Sequence, residues 1–249
     1  MAFFDWDSSI GSNNNPGVVD RSIPLFFQDG TLFDDSTFNL FINSGKFGHV
    51  YKNSKDNSVL KLYSDCCPVL AKMDLDLFMK LKSCSIPNLV SLYDCLFYSS
   101  DFSQIEGYTM EYINDDKSLI LELCSSDFLH FIYELEKMVK VASENNILLR
   151  DVHPDNICFN SNGFTLIDLD NFLLSFSRNR NIIYEKNKQS IIYCINMIFS
   201  SLVDEKKYID FINGDIAASL YRCVLESLTE PSLRDSLQKK LVINKSTGL

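Results

Sequence analysis

The chain has 249 residues, 46% of them apolar and 22% charged, with a formal net charge of -10. That supplies enough apolar material for a core in one large domain or one domain of two lobes. Thirty-three acidic against twenty-three basic residues exclude a general binder of nucleic-acid backbones or anionic membranes, and leave room only for a local basic patch.

Residues 8 to 17 (Ser-Ser-Ile-Gly-Ser-Asn-Asn-Asn-Pro-Gly) are turn formers with almost nothing to bury, and residues 1–35 are expected to be a flexible leader. Phe38 to Ile42, Val50 to Lys52 and Val59 to Tyr63 are short β-prone runs separated by Gly45, Gly48 and an Asn-Ser-Lys-Asp-Asn cluster, so they read as strands. A helical pattern over residues 69–82 precedes two more strand-like runs, Leu89 to Phe97 and Tyr108 to Ile113. The second half is helical. Phe128, Phe131, Ile132, Leu135, Val139 and Ala142 recur on one helix face, with Ser125 or Ser126 as N-cap, and a second helix carries Ile191, Ile195, Ile198 and Leu202. Between them, Ile157 to Phe159 and Phe164 to Ile167 form a short hairpin across Ser161-Asn162-Gly163. Sheet first and helices second predicts an α+β fold with a cleft at the join near residue 114.

The eight cysteines sit inside apolar runs such as Asp94-Cys95-Leu96-Phe97, no C-x-x-C pair occurs, and the three histidines are scattered. Reduced core thiols in a cytoplasmic protein follow, with neither a disulfide framework nor a structural zinc site. The first residues lack the basic flank of a signal peptide, and no run reaches the roughly 18 apolar residues that a membrane span needs.

Three stretches carry side chains suited to chemistry. In Ile42-Asn43-Ser44-Gly45-Lys46-Phe47-Gly48-His49-Val50 the glycines let backbone amides approach phosphate oxygens, or simply make a hairpin. Lys61 shares a strand face with Val59 and Tyr63, where it either snorkels at a sheet edge or faces an anion. The third stretch is Leu149-Arg150-Asp151-Val152-His153-Pro154-Asp155-Asn156, followed twelve residues after Asn156 by Asp168 in Ile167-Asp168-Leu169-Asp170. One carboxylate orients a hydroxyl nucleophile, while an amide oxygen and a second carboxylate hold magnesium; each fragment alone also reads as a polar turn.

In that order and spacing the fragments resemble the protein kinase family from about residue 40 to 200. Gly45, Gly48 and Val50 are similar to the kinase glycine loop, with Asn43 at its first glycine. Val59-Leu60-Lys61 resembles the strand bearing the phosphate-binding lysine, and Thr109 followed by Met110, Glu111, Tyr112 and Ile113 resembles the gatekeeper and adenine-binding hinge. Arg150-Asp151 through Asn156 is similar to H-R-D-x-x-x-x-N, with Leu149 for histidine, and Asp168-Leu169-Asp170 to D-F-G.

The resemblance implies a two-lobed fold: a small antiparallel sheet over residues 36–113 and a reduced helical lobe over 114–249. It implies ATP and Mg2+ as cofactors. The glycine loop with Lys46 and Val50, together with Val59 and the hinge residues, would bind the nucleotide. Lys61 would meet the α- and β-phosphates, Asp151 would accept the acceptor proton, and Asn156 and Asp168 would hold the metal. The departures are specific. Residues 70–82 contain no glutamate to pair with Lys61, leaving Asp74 or Asp76, and no A-P-E motif follows Asp170. That truncation is similar to the minimal kinases that pathogenic bacteria inject into host cells, which implies action on protein serine or threonine and leaves room for an activating protein partner. His153 with Asp170 is similar instead to small-molecule kinases of the aminoglycoside and choline type, and Asn43 with the missing glutamate fits a pseudokinase binding module. Arg150 would clamp a phosphorylated segment, with Ser175, Ser177 and Tyr184 as candidate positions.

Overall fold

The computed structural model describes residues 21–98, 102, 104–116, 128–161, 163–177 and 179–201. Residues 1–20 of the leader, the caps Ser125 and Ser126, Cys124, Cys223, and the end of the expected helical lobe from Leu202 to residue 249 lie outside the described residues. The architecture is mixed α and β: a five-stranded antiparallel sheet, two further two-stranded ladders and, among the described residues, three α-helices. The chain divides into two compact units, residues 1–72 with 95–109, and residues 73–94 with 110–249. The helix following Lys72 belongs to the second unit.

In the first unit, strands β1 (Leu40–Ser44), β2 (Gly48–Lys52) and β3 (Ser58–Tyr63) follow one another. With β4 (Leu92–Leu96) and β5 (Gly107–Glu111), within which the chain passes between units, the sheet order is β1-β2-β3-β5-β4. Burial rises from edge to centre: every residue of β1 is exposed and every residue of β3 is buried. Period-two alternation sends Leu60 and Leu62 to one face, where they form a core with Leu25, Phe38 and Leu96. Lys61 goes to the other face with Val59 and Tyr63.

Residues 21–35 depart from the expected leader. Leu25 is buried, Phe26 exchanges backbone hydrogen bonds with Phe97 at 2.8 and 3.0 Å, and Arg21 pairs with Asp35 at 2.9 Å. The apolar run Leu25-Phe26-Phe27 gives this segment something to bury, which residues 8 to 17 lack.

The second unit begins with α1 (Leu75–Ser83), whose N-cap is Asp74; its carboxylate accepts from the amides of Asp76 at 2.9 Å and Leu77 at 3.2 Å. The expected helix over 69–82 thus opens with a separate 3-10 turn, Val69–Ala71, and becomes α-helical only after Asp74. Helix α2 (Phe128–Glu144) buries Phe131, Leu135, Met138, Val139 and Ala142 at three-and-four spacing. Two ladders follow: β6 (Ile147–Leu148) with β9 (Leu173–Leu174), and β7 (Ile157–Asn160) with β8 (Gly163–Leu166). Gly163, at φ +118, takes the turn of the second ladder in a region other residues rarely adopt.

Helix α3 (Arg180–Ser201) packs on α2 and begins eleven residues before Ile191, the first residue of the expected pattern. Its buried stripe reads Ile183, Asn187, Ile191, Cys194. An asparagine at an interior position interrupts the apolar period, so the first turns looked polar. All six described cysteines are unbridged; Cys67, Cys95, Cys158 and Cys194 are buried, and Cys66 is exposed. No described helix is long and apolar enough to cross a membrane.

Candidate functional site

The sequence-derived residues fall in both units. In the first unit, the turn between β1 and β2 closes with the Gly45 amide donating to the Gly48 carbonyl at 2.9 Å, while Lys46 lies 4.9 Å from the ring of Phe47. A Cβ at Gly48 would sit 2.4 Å from the Leu62 carbonyl oxygen, so only glycine permits this approach of β2 to β3; at Gly45 the nearest atom is 3.9 Å away. Gly48 is therefore explained by the sheet itself.

The antiparallel register sets Val50 directly opposite Lys61, and Val59 precedes Lys61 on the same face. Lys61 is 9% exposed on the central strand, with its ammonium 5.9 Å from the buried Tyr108 ring. It does not occupy a sheet edge, so the snorkelling reading is removed. Also in this unit, Lys72 pairs with Glu106 at 2.5 Å, both side chains largely buried, and Gln104 donates to the other oxygen of Glu106 at 3.1 Å.

The hinge residues begin at the end of β5. Met110 is buried, while Glu111, Tyr112 and Ile113 are half-buried. The Glu111 amide donates to the Ser91 carbonyl at 2.9 Å, and its carboxylate accepts from the Ser91 hydroxyl at 2.9 Å. That N–H is already engaged within the fold.

In the second unit the loop residues converge. Pro154 opens a 3-10 turn, Pro154–Asn156, which the His153 side chain caps by accepting from the Asp155 amide at 3.3 Å. The turn returns Asn156 to the loop, where its Nδ2 donates to the Asp151 carbonyl at 3.0 Å. That bond fixes the amide plane and directs Oδ1 the other way. Pairing of Ile157 with Leu166 sets Asn156 opposite Ile167, whose amide donates to the Asn156 carbonyl at 2.7 Å. Asp168 is the next residue. Asp151 is tied once more, its Oδ2 accepting from Asn171 Nδ2 at 2.9 Å. Asn156 is thus bonded to Asp151 directly, while Asp168 follows in sequence the residue whose amide pairs with Asn156.

Both carboxylates sit on left-handed backbone, Asp151 at φ 55 and Asp168 at φ 58. Each costs about 1–2 kcal/mol for an L-residue, although aspartate tolerates it better than most. The surrounding bonds hold that strain in place. His153 faces Asp155 as well, with Nδ1 3.2 Å from the carboxylate.

Asn171 and Asn187 were not singled out by sequence. Asn187 is fully buried in α3; its Oδ1 accepts from the Leu149 amide at 2.7 Å, and its Nδ2 donates to the Ile147 carbonyl at 2.9 Å and the Ser143 hydroxyl at 3.0 Å. It fastens the start of the 149–156 loop to two helices. The signal available was an asparagine at the buried period of an otherwise regular helix. Asp74, one of two candidates to pair with Lys61, spends its carboxylate on its own helix cap. Tyr184 lies within α3 and donates to Glu136 at 3.4 Å, so among the modification candidates it is part of a helix interface. Burial pushes the Glu136 carboxyl above the usual glutamate range, against the pull of that hydroxyl and of Lys188 and Lys140.

No protein-family model matches the chain.

Proposed function

We propose that the protein is a magnesium-dependent ATP phosphotransferase of two-lobed, protein kinase-like fold, acting on serine or threonine hydroxyls of a protein substrate. The observation that carries this reading is the tie of Asn156 to the Asp151 carbonyl, together with the Ile167 amide bond to the Asn156 carbonyl, which sets Asp168 one residue beyond that pairing. An amide oxygen and a carboxylate suit a hard cation that fills its remaining positions with phosphate oxygens and water, so Asn156 and Asp168 would hold magnesium. When bound, that ion neutralises phosphate charge.

Asp151, oriented by Asn171, takes the proton of the acceptor hydroxyl through its other oxygen. Lys61, a largely desolvated ammonium on a central strand, contributes positive charge for the α- and β-phosphates, with the Gly45–Gly48 turn and Val59 beside it. His153 supplies a polar side chain two residues beyond the base. The protein acts in the cytoplasm in this reading, that of a host cell where the chain is an injected effector, and takes an activating protein partner.

A purified chain given labelled ATP, magnesium and a eukaryotic lysate should transfer phosphate to protein. A pseudokinase would bind nucleotide without transfer. Absence of both magnesium-dependent nucleotide binding and transfer would end the proposal.

A further inference from the structure

Within the second unit, a cleft of about 710 Å3 opens beside Asp151, between the loop 148–153 and one face of α3. That volume lies within the range of small-ligand and peptide-anchor sites, about 300–1,000 Å3. Lys186, Gln189, Ser190 and Tyr193 line it at the three-one-three spacing of a single helix face, and Arg150 and Asp151 line it from the loop. Among these, two permanent cations stand against one carboxylate, in a chain whose net charge is -10. A concentration of positive charge is unexpected there on composition alone.

From this arrangement we infer that the cleft is the acceptor subsite and selects hydroxyl groups that lie beside a carboxylate or phosphate. The inference rests on the phosphotransferase reading and names the substrate class of the same site. The acceptor hydroxyl meets Asp151, its neighbouring anion lies between Arg150 and Lys186, and Tyr193 offers an apolar ring with a polar tip. In the transfer step Asp151 removes the hydroxyl proton. The freed oxygen forms a bond to the γ-phosphorus of ATP, and the bond from that phosphorus to the bridging oxygen breaks, so that ADP leaves with the electron pair. Cationic acceptors such as aminoglycosides or choline would instead meet two like charges, which disfavours them.

The test uses the full chain with ATP and magnesium against three sets of acceptors: serine peptides flanked by glutamate, the same peptides flanked by lysine, and small hydroxylated phosphates and carboxylates. The anionic acceptors should be preferred by about tenfold or more in kcat/KM, and the set used best identifies whether the anion comes from a peptide or a small molecule. Lys186→Glu, an exposed position, should abolish that preference while leaving the KM for ATP unchanged. Binding of a fluorescent glutamate-flanked serine peptide, measured by anisotropy without nucleotide, should weaken about tenfold in the same variant. Equal use of lysine-flanked peptides, or an unchanged preference in Lys186→Glu, would overturn the inference. Charge-dependent peptide binding without any transfer would support the anionic subsite and remove the proposed activity.

Discussion

Lys61 and the Asp151–Asn156–Asp168 group are held by different means. Lys61 sits in a ladder: its position follows from five consecutive register pairs between β2 and β3, and its neighbours Val59 and Val50 are placed by the same pairing. The loop residues instead rest on side-chain bonds, Asn156 to the Asp151 backbone, Asn171 to the Asp151 carboxylate and Asn187 to the Leu149 amide, with left-handed backbone at both carboxylates. A ladder distributes its hold over many backbone groups. A polar network concentrates it in a few amides, so single substitutions in the loop should propagate further than substitutions at the lysine.

Asp151→Asn preserves shape and tests the loop directly. Phosphate transfer should fall about 1,000-fold, while nucleotide affinity measured by calorimetry stays close to wild type. Asn187→Ala should cost about 3 kcal/mol in urea unfolding, since it strands a buried amide and a buried carbonyl, and should lower kcat more than it raises KM. A purely structural role would leave kcat unchanged in the folded fraction. In the ladder, Gly48→Ala should cost about 1–3 kcal/mol, because β2 must shift away from the Leu62 carbonyl, and Gly45→Ala should cost little. Lys61→Met should leave the melting temperature near wild type and raise the KM for ATP about tenfold.

The smallest effect concerns Glu136. Its carboxyl binds a proton more tightly in the folded chain than in the unfolded one, because burial disfavours its charge. The Glu136 contribution to stability is therefore fully present below the ordinary glutamate range and is lost as pH rises through the raised value. Glu136→Gln should flatten that part of the pH-stability profile, read by thermal melts at stepped pH.

The strands and the loop spacing were legible because each follows a local rule. Alternation placed Leu60 and Leu62 opposite Lys61, and Pro154 marked a non-helical turn between Asp151 and Asn156. What was hidden depends on long-range partners. Asn187 looked like one more polar residue on a surface helix until Leu149, Ile147 and Ser143 surrounded it, and it delayed the apparent start of α3. Asn171 carries no motif; only the β6–β9 and β7–β8 ladders bring it to Asp151. Asp74 read as a stand-in for a missing glutamate, yet local capping engages its carboxylate first. Residues 21–35 read as part of the leader on the strength of residues 8 to 17, while Leu25 within them packs with Phe38 and Leu96.

The uneven exposure of the thiols gives this chain its own reporter. An alkylating reagent at neutral pH reaches Cys66 on the surface, whereas Cys194 sits in the α3 interior with its thiol pushed up to about 12 by burial and, secondarily, by Asp155. Slow labelling at Cys194 would time the opening of the helix that also carries Asn187, with prompt labelling at Cys66 as its reference, without any dye or tag.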